Sequence, residues 1–203
     1  MAQTQRGIQK KQRINELLKE LVRKATHLCA AFTPTLFRVA FVPTFALLSL
    51  VLAAYCASET LRRKGVTVPV ISAFTAACSR KRDENQFVFG PITLACGVLL
   101  AALLFQPLSA RVGIYALAFG DGLASLAGKC FGTIRIPFMP QKTVAGSTAC
   151  FAAIFISVFA ATGVSLTALL AAAVGTVLEL IPLKDFDNIL LPLAVAALHQ
   201  FLL

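Results

Sequence analysis

The chain has 203 residues, of which 58% are hydrophobic and 14% charged, and its mean hydropathy is +0.80. These proportions exclude an ordinary soluble domain and predict an integral membrane protein. The formal net charge is +10, and residues 1–25 hold seven Lys or Arg against two Glu, which is a net +5. A basic end of this kind suits an anionic membrane surface.

The first predicted element is a basic amphipathic helix over residues 8–22, because its apolar residues recur at helical spacing and lysines and arginines take the other faces. We expect it to lie on the membrane surface. The apolar run 25–56 is too long for one span and is interrupted at Pro34, Arg38 and Pro43. Two helices that meet near Arg38 are therefore predicted.

The next apolar stretch, residues 66–78, is short and contains Pro69, so we expect an interfacial or re-entrant segment. Basic clusters flank it: Arg62, Arg63 and Lys64 before, and Arg80, Lys81 and Arg82 after. The remaining predicted spans are residues 88–107, 112–128, 147–162, 165–182 and 189–203.

The predicted fold class is thus all-α, a polytopic membrane helix bundle of about seven transmembrane helices with an N-terminal amphipathic basic helix. We expect a basic arm over residues 1–24 and a single transmembrane catalytic domain over residues 25–203. The positive-inside rule places the basic clusters in the cytoplasm if residues 66–78 do not cross. The loops 129–146 and 183–188 then face the cytoplasm as well, and the expected location is the cell (inner) membrane.

Few charges occur after residue 88, and the most informative is Asp121, about midway along an apolar segment between Gly120 and Gly122. A carboxylate at that depth is unfavourable unless it is paired, bound to metal or turned toward a polar cavity. The glycines alone fit helix packing, but packing does not explain the charge. A phosphate-binding P-loop ending at Lys129 is excluded, because the glycine spacing is wrong and Cys130 replaces the Ser or Thr.

A second group is the loop 137–147, which carries Lys142 and Thr143 and leads through Gly146 and Ser147 into an apolar helix. A cation and exposed backbone N–H groups at a helix N-terminus suit a phosphate. An ordinary cytoplasmic loop with a capping serine explains the same residues equally well.

Two further groups are weaker. Glu179, Asp185, Asp187 and Asn188 supply oxygen ligands of the kind that Mg²⁺ takes, although a polar turn before the last helix is the simpler interpretation. Arg23, Lys24 and His27 lie where the chain first enters the membrane, and a lone histidine there is more often structural.

Taken in order, these residues resemble the motifs of the CTP-dependent lipid-alcohol kinases, the dolichol, phytol and yeast-type diacylglycerol kinases, which are distant relatives of phosphatidate cytidylyltransferases. The matching residues are Arg23, Lys24 and His27; then Gly120, Asp121, Gly122, Ala124, Ser125, Gly128, Phe131 and Gly132; then Pro140, Lys142, Thr143, Gly146 and Ser147; and finally Asp187, Asn188 and Pro192. The resemblance runs from about residue 23 to the C-terminus. It departs at Ala145, where the family commonly has Glu, and at Phe186, which splits an acidic pair.

The resemblance implies that the chain transfers the γ-phosphoryl group of CTP to a lipid alcohol. It implies Asp121 and Lys142 as catalytic residues and Asp121 and Asp187 as ligands of Mg²⁺. Arg23, Lys24 and His27 would contact substrate or the interface, and the expected partners are the lipid alcohol, CTP and membrane lipids, with no nucleic acid. The implied nucleotide-binding residues are Gly120, Gly122, Ser125, Thr143, Gly146, Ser147 and Asn188.

Two other functions fit the sequence. A cytidylyltransferase would bind the same nucleotide and metal but release pyrophosphate and form a CDP-lipid. A small ion-coupled transporter would use Asp121 as its coupling carboxylate and would need no Lys142 loop.

Overall fold

Helices make up most of the chain, as the apolar runs predict. The computed structural model describes residues 2–66, 68–79, 83, 86–137 and 139–203, with side chains from residue 15 onward. In chain order the helices are α1 (Ala2–Ala30), α2 (Thr33–Val39), α3 (Phe41–Arg63), α4 (Pro69–Cys78), α5 (Gly90–Leu104), α6 (Pro107–Tyr115), a π-helical segment (Ala116–Asp121), α7 (Gly122–Phe131), α8 (Val144–Thr162), α9 (Ser165–Leu180) and α10 (Asp187–Phe201).

Prolines set several of the helix starts. A proline occupies one of the first two positions of α2, α4, α5 and α6, where its missing N–H has no intrahelical partner to lose. The break predicted near Arg38 falls at Ala40, between α2 and α3. The predicted boundary between residues 24 and 25 lies inside α1, which is one continuous helix.

Two helices are candidates for crossing a membrane, by length and composition. Among the described residues, α3 and α8 are long and apolar enough to cross a membrane. The number of about seven spans stays a prediction, as does the amphipathic character of the N-terminal helix. Within that helix Leu17, Leu18 and Leu21 are exposed, whereas the side chains of residues 8–14 lie outside the described residues. The basic cluster Arg80, Lys81 and Arg82 also lies outside them.

The segment 129–146 is predicted to be a loop, and in the structure it contains a short β-hairpin. Strand β1 (Arg135–Ile136) pairs antiparallel with β2 (Met139–Thr143), so the chain is helical but not strictly all-α. Arg135 Nη1 donates a hydrogen bond to the Pro140 carbonyl at 2.7 Å. The hairpin leads directly into α8 and fixes the position of Lys142 relative to the start of that helix.

The core surrounds α8, which packs against α7, α9 and the π-helical segment, while α10 packs against α5 and α6. Its centre is a cluster of fully buried apolar side chains that includes Leu117, Ile154 and Val195. In lipid such packing stabilises through close van der Waals contact, so small residues at helix crossings matter. At Gly97 of α5, an added Cβ would lie 2.1 Å from the Asn188 carbonyl oxygen of α10.

We expect Gly97→Ala to destabilise the protein by about 1–3 kcal/mol, because the methyl group would force α5 away from the backbone of α10. The measurement is the thermal unfolding midpoint of purified protein in detergent. Gly90→Ala on the same helix is the matched control, since a Cβ at Gly90 would meet nothing within 4 Å. Equal midpoints for the two variants would show that the close approach at Gly97 is unimportant.

Candidate active site

Asp121 lies at the end of the π-helical segment, within the continuous helical run 107–131, and is 9% exposed. Lys24 Nζ on α1 donates a hydrogen bond to Asp121 Oδ2 at 2.6 Å. His27 Nδ1 lies 3.0 Å from the same oxygen, at ion-pair distance but without hydrogen-bond geometry. Because residues three apart share a helix face, one face of α1 supplies both groups. The buried carboxylate predicted from the sequence is therefore paired.

Glu20 extends this face of α1 by one turn and joins it to α7. It is 4% exposed, accepts hydrogen bonds from Ser125 and from Lys129 Nζ (2.6 Å for the latter), and pairs with Arg23. Burial raises the pKa of the Glu20 carboxyl, but the hydrogen bonds from Lys129 and Ser125 and the charge of Lys24 lower it more, so the pKa lies below its ordinary value. Glu20 thus holds α1 in the position from which Lys24 reaches Asp121.

The start of α8 forms a second polar group. Thr143 caps the helix, accepting a hydrogen bond from the Gly146 N–H at 3.2 Å, and Lys142 forms an ion pair with Glu179 of α9. The Ser147 Oγ atom is buried and has no hydrogen-bond partner among the described residues. An unsatisfied hydroxyl beside a lysine at a helix N-terminus is suited to an anionic ligand.

Helices α7 and α8 meet at two glycines. A Cβ on Gly146 would lie 2.9 Å from the Ala124 carbonyl oxygen and 3.4 Å from Gly128 Cα. Glycine therefore permits the backbones to touch at this crossing. The contact brings the N-terminus of α8 beside the part of α7 that holds Ser125 and Lys129.

A large cavity of ≈810 Å³ joins these groups. Its walls include Lys24, Asp121, Ser125, Lys129, Arg135, Lys142, Thr143, Gly146, Ser147, Glu179 and Asp187. Residues of all four sequence motifs therefore line one cavity: the Lys142 motif in full, and the others in part, through Lys24, Asp121 and Asp187 among others. Cations reach the cavity from α1, α7, β1 and β2. That volume is in the range of small-molecule sites.

A smaller cavity of ≈30 Å³ lies on another side of Asp121. Lys24, Asp121 and Asp187 line both cavities, whereas Arg23, His27 and Asn188 line the smaller one. Asn188 Nδ2 also donates a hydrogen bond to Thr93 Oγ1 at 3.0 Å, which links α10 to α5.

The two glycines beside Asp121 lie at helix contacts. A Cβ on Gly120 would be 2.7 Å from Ile154 of α8, and one on Gly122 would be 3.4 Å from Leu28 of α1. Their predicted nucleotide-binding role stays a prediction, and the geometry gives each a packing role.

Magnesium fits this site only together with other ligands. Among the described residues, no group of three or more His, Cys, Asp or Glu side chains is arranged to hold a metal ion. Mg²⁺ commonly uses one or two carboxylates together with substrate phosphates and water. Asp121 and Asp187, which face the same cavity, satisfy that requirement if a phosphate completes the ligand set.

Sequence reasoning missed Glu20 and the partners of Glu179 and Lys129. Glu20 precedes Lys24 by four residues and His27 by seven, a helical spacing that could have shown their common face. Glu179 was grouped with Asp187 as an oxygen ligand, and no pattern in the neighbouring sequence indicates that it pairs with Lys142. Lys129 was considered for a P-loop and not for its contact with Glu20.

Lysines and a helix N-terminus line the large cavity together with carboxylates, an arrangement suited to a phosphate group. Comparison with known proteins identifies the relatives of this chain as lipid-alcohol kinases. The chain is 31% identical over 141 residues to a protein named probable phytol kinase, chloroplastic, of Triticum aestivum, covering 60% of this chain and 47% of that protein. It is 29% identical over 149 residues to phytol kinase 1, chloroplastic, of Arabidopsis thaliana, covering 64% and 49%.

A third relative is farnesol kinase, chloroplastic, of Arabidopsis thaliana, with 32% identity over 72 residues, covering 34% of this chain and 23% of that protein. The resemblance to the lipid-alcohol kinases is thus confirmed by curated homologues. The chain spans about half the length of the phytol kinases that it matches. No family model and no solved structure matches the chain.

We expect Glu20→Gln to lower stability at neutral pH by about 1–3 kcal/mol, because Arg23 and Lys129 would lose a buried anionic partner, although Lys129 is partly exposed. Chemical unfolding in detergent measures the difference. Lys19→Gln, which removes an exposed charge from the same helix, is the control and should unfold like the wild type.

The difference should also depend on pH. A carboxyl whose pKa is lowered by folding stabilises the folded state above its unfolded-state pKa, roughly 4.3, and loses that effect as the pH falls through the folded-state value. The advantage of the wild type over Glu20→Gln should therefore be full at pH 7 and shrink on acidification. A difference that grows toward acid pH would contradict the assignment.

Proposed function

We propose that this protein is a membrane lipid kinase that transfers the γ-phosphoryl group of CTP to the hydroxyl of a long-chain lipid alcohol. The large cavity is the observation that carries the proposal, because it joins cations, a helix N-terminus and two carboxylates from distant parts of the chain. The homologues named phytol kinase and farnesol kinase support the reaction class. CTP as the donor rests on the motif resemblance.

In this proposal the phosphates lie at the start of α8. Lys142 and the backbone N–H groups near Gly146 and Ser147 contact them, and Glu179 orients Lys142 when the nucleotide is absent. An analogous Lys–Glu pair positions the phosphate-binding lysine of protein kinases. Lys129 and Arg135, on the same cavity, add positive charge where the triphosphate enters.

The chemistry is displacement at the γ-phosphorus. The alcohol oxygen forms a bond to that phosphorus while the bond to the β–γ bridging oxygen breaks, and CDP leaves. Asp121 orients the hydroxyl by accepting its hydrogen bond, and the hydroxyl proton passes to water as the new bond forms. Positioning and charge neutralisation carry most of the rate enhancement in such reactions. Mg²⁺ held by Asp121, Asp187 and phosphate oxygens would supply part of that neutralisation.

The proposed acceptor is an isoprenoid alcohol such as phytol or a polyprenol, because the named relatives include phytol and farnesol kinases. Diacylglycerol is the acceptor of other kinases in the resembling family. The protein is proposed to reside in the cell's inner membrane as one domain after a basic arm. The run 107–131 would be one of about seven spans, and the hairpin would face the cytoplasm, where CTP is dissolved.

The proposal is tested with purified protein in vesicles, γ-labelled CTP and a panel of phytol, farnesol, a polyprenol and diacylglycerol. A labelled lipid phosphate with release of CDP is the expected result. Pyrophosphate release with a CDP-lipid would make the protein a cytidylyltransferase. Absence of both CTP binding and turnover would favour a transporter.

Asp121→Asn should reduce the turnover number roughly a hundredfold or more while the protein still accumulates and folds, because the amide keeps the shape but removes the charge. Initial rates at saturating CTP and alcohol, normalised to folded protein, measure this. Glu59→Gln is the matched control, since Glu59 on α3 is also buried but pairs with Arg62 and lies outside both cavities. Comparable rates and magnesium dependence in Asp121→Asn and wild type would overturn the role of Asp121.

A further inference from the structure

We infer that the smaller cavity is the acceptor chamber, the site that binds the hydroxyl end of the lipid alcohol. This inference rests on the proposed kinase function and adds where the second substrate binds. The chamber lies between α1, the end of α4, α5 and the start of α10. Its walls include Thr26, His27, Cys78, Val88, Gly90, Pro91, Leu94 and Asn188, together with Lys24, Asp121 and Asp187, which it shares with the large cavity.

Lys24, Asp121 and Asp187 form a wall that the two cavities share. In-line phosphoryl transfer requires donor and acceptor to reach the same reacting centre from different sides. The groups that line only the large cavity, such as Lys142 and Ser147, are suited to phosphates. The acceptor oxygen therefore has to arrive through another opening that also reaches Asp121, and the acceptor chamber reaches it.

The size and the charge of the acceptor chamber suit a hydroxyl group better than a triphosphate. A volume of ≈30 Å³ holds a hydroxymethyl group or a water, since one water needs roughly 10–15 Å³ by this measure. A triphosphate does not fit. Four carboxylates lie on the walls, those of Asp83, Asp121, Asp185 and Asp187. They outnumber the two cations on these walls, Arg23 and Lys24, so the net charge of the chamber disfavours an anion. A carboxylate oxygen can also accept a hydrogen bond from a hydroxyl.

The acceptor chamber has an apolar side and a polar side. Val88, Pro91 and Leu94 form an apolar side that suits the first carbons of a lipid chain. On another side, the Nε and Nη1 atoms of Arg23 are buried and have no hydrogen-bond partner among the described residues. His27, whose Nδ1 lies 3.0 Å from Asp121 Oδ2, lines the same cavity. His27 is only 8% exposed. Buried polar atoms of this kind are normally satisfied by a ligand or water, and a hydroxyl oxygen satisfies them.

Gly90 allows the chamber to be narrowed without disturbing the fold. It lines the chamber, and a Cβ there would meet nothing within 4 Å. A leucine at this position would take space from the alcohol while leaving the groups at the start of α8 unchanged. Ala76→Leu is the matched control, because Ala76 is exposed on α4 and lies outside both cavities.

The experiment compares wild type, Gly90→Ala, Gly90→Leu and Ala76→Leu by steady-state kinetics with phytol and CTP varied separately. We expect Gly90→Leu to raise the KM for the alcohol roughly tenfold or more, as a misplaced group in a fitted apolar pocket does, with an unchanged Kd for CTP. Gly90→Ala should give a smaller increase in the same direction, and it carries the test if the leucine variant does not accumulate. Ala76→Leu should match the wild type.

An unchanged KM for the alcohol in both Gly90 variants overturns the assignment, as does a parallel loss of CTP binding. If the wild type phosphorylates an alcohol but the variants behave normally, only the acceptor chamber is wrong. If the wild type phosphorylates no alcohol in the panel, the proposed function and the acceptor chamber fail together.

Discussion

The fold depends on neutralising one buried carboxylate. Asp121 lies in an apolar helical run where an unpaired charge would be strongly unfavourable, and the ammonium of Lys24 lies 2.6 Å from it. The two residues are 97 positions apart, so the pair forms only when α1 docks against the π-helical segment and α7. Removing either partner would leave one buried charge unpaired, which destabilises a fold more than replacing both residues by apolar ones. Glu20 makes the same docking more specific through Ser125 and Lys129.

A second constraint is the backbone contact between α7 and α8. Gly128 and Gly146 allow these helices to touch, which places the cap of α8 beside the residues that follow Asp121. Residues of one sequence motif therefore have different physical roles: Asp121 faces the cavities, Ser125 binds Glu20, and Gly128 makes room for α8. Only some residues of this motif are therefore placed to contact a ligand, and the others hold the helices around the cavity together.

Local sequence patterns predicted the helical class, the break near Arg38, the short segment around Pro69 and the need for a partner at Asp121. These predictions depend only on residues close together in sequence: prolines that interrupt helices, apolar runs that form them, and a charge that is unfavourable when buried. The hairpin was not predicted, since β1 has two residues and its pairing depends on the turn. The π-helical segment was not predicted either, because residues 107–131 read as ordinary helix.

The pairings that define the site could not come from periodicity. Arg23, Lys24 and His27 were predicted to lie at a membrane surface, and nothing near them in sequence indicates Asp121 as the partner of Lys24 and His27. The same holds for Lys142 and Glu179, which belong to β2 and α9. The resemblance to a known family placed these residues in one site without saying which contacts which, and the geometry supplies that information.

Helix α1 links the N-terminal part of the chain to Asp121. Its leucines at 17, 18 and 21 are exposed, whereas Glu20, Lys24 and His27 on a neighbouring face are buried and contact α7 and Asp121. In the proposed kinase the exposed leucines would contact lipid, so the lipid and the ion pairs would both fix the orientation of this helix. The alcohol would keep its chain in the hydrocarbon and bring only its hydroxyl to Asp121. The ion pairs of α1 would then hold Asp121 where that hydroxyl and the nucleotide meet.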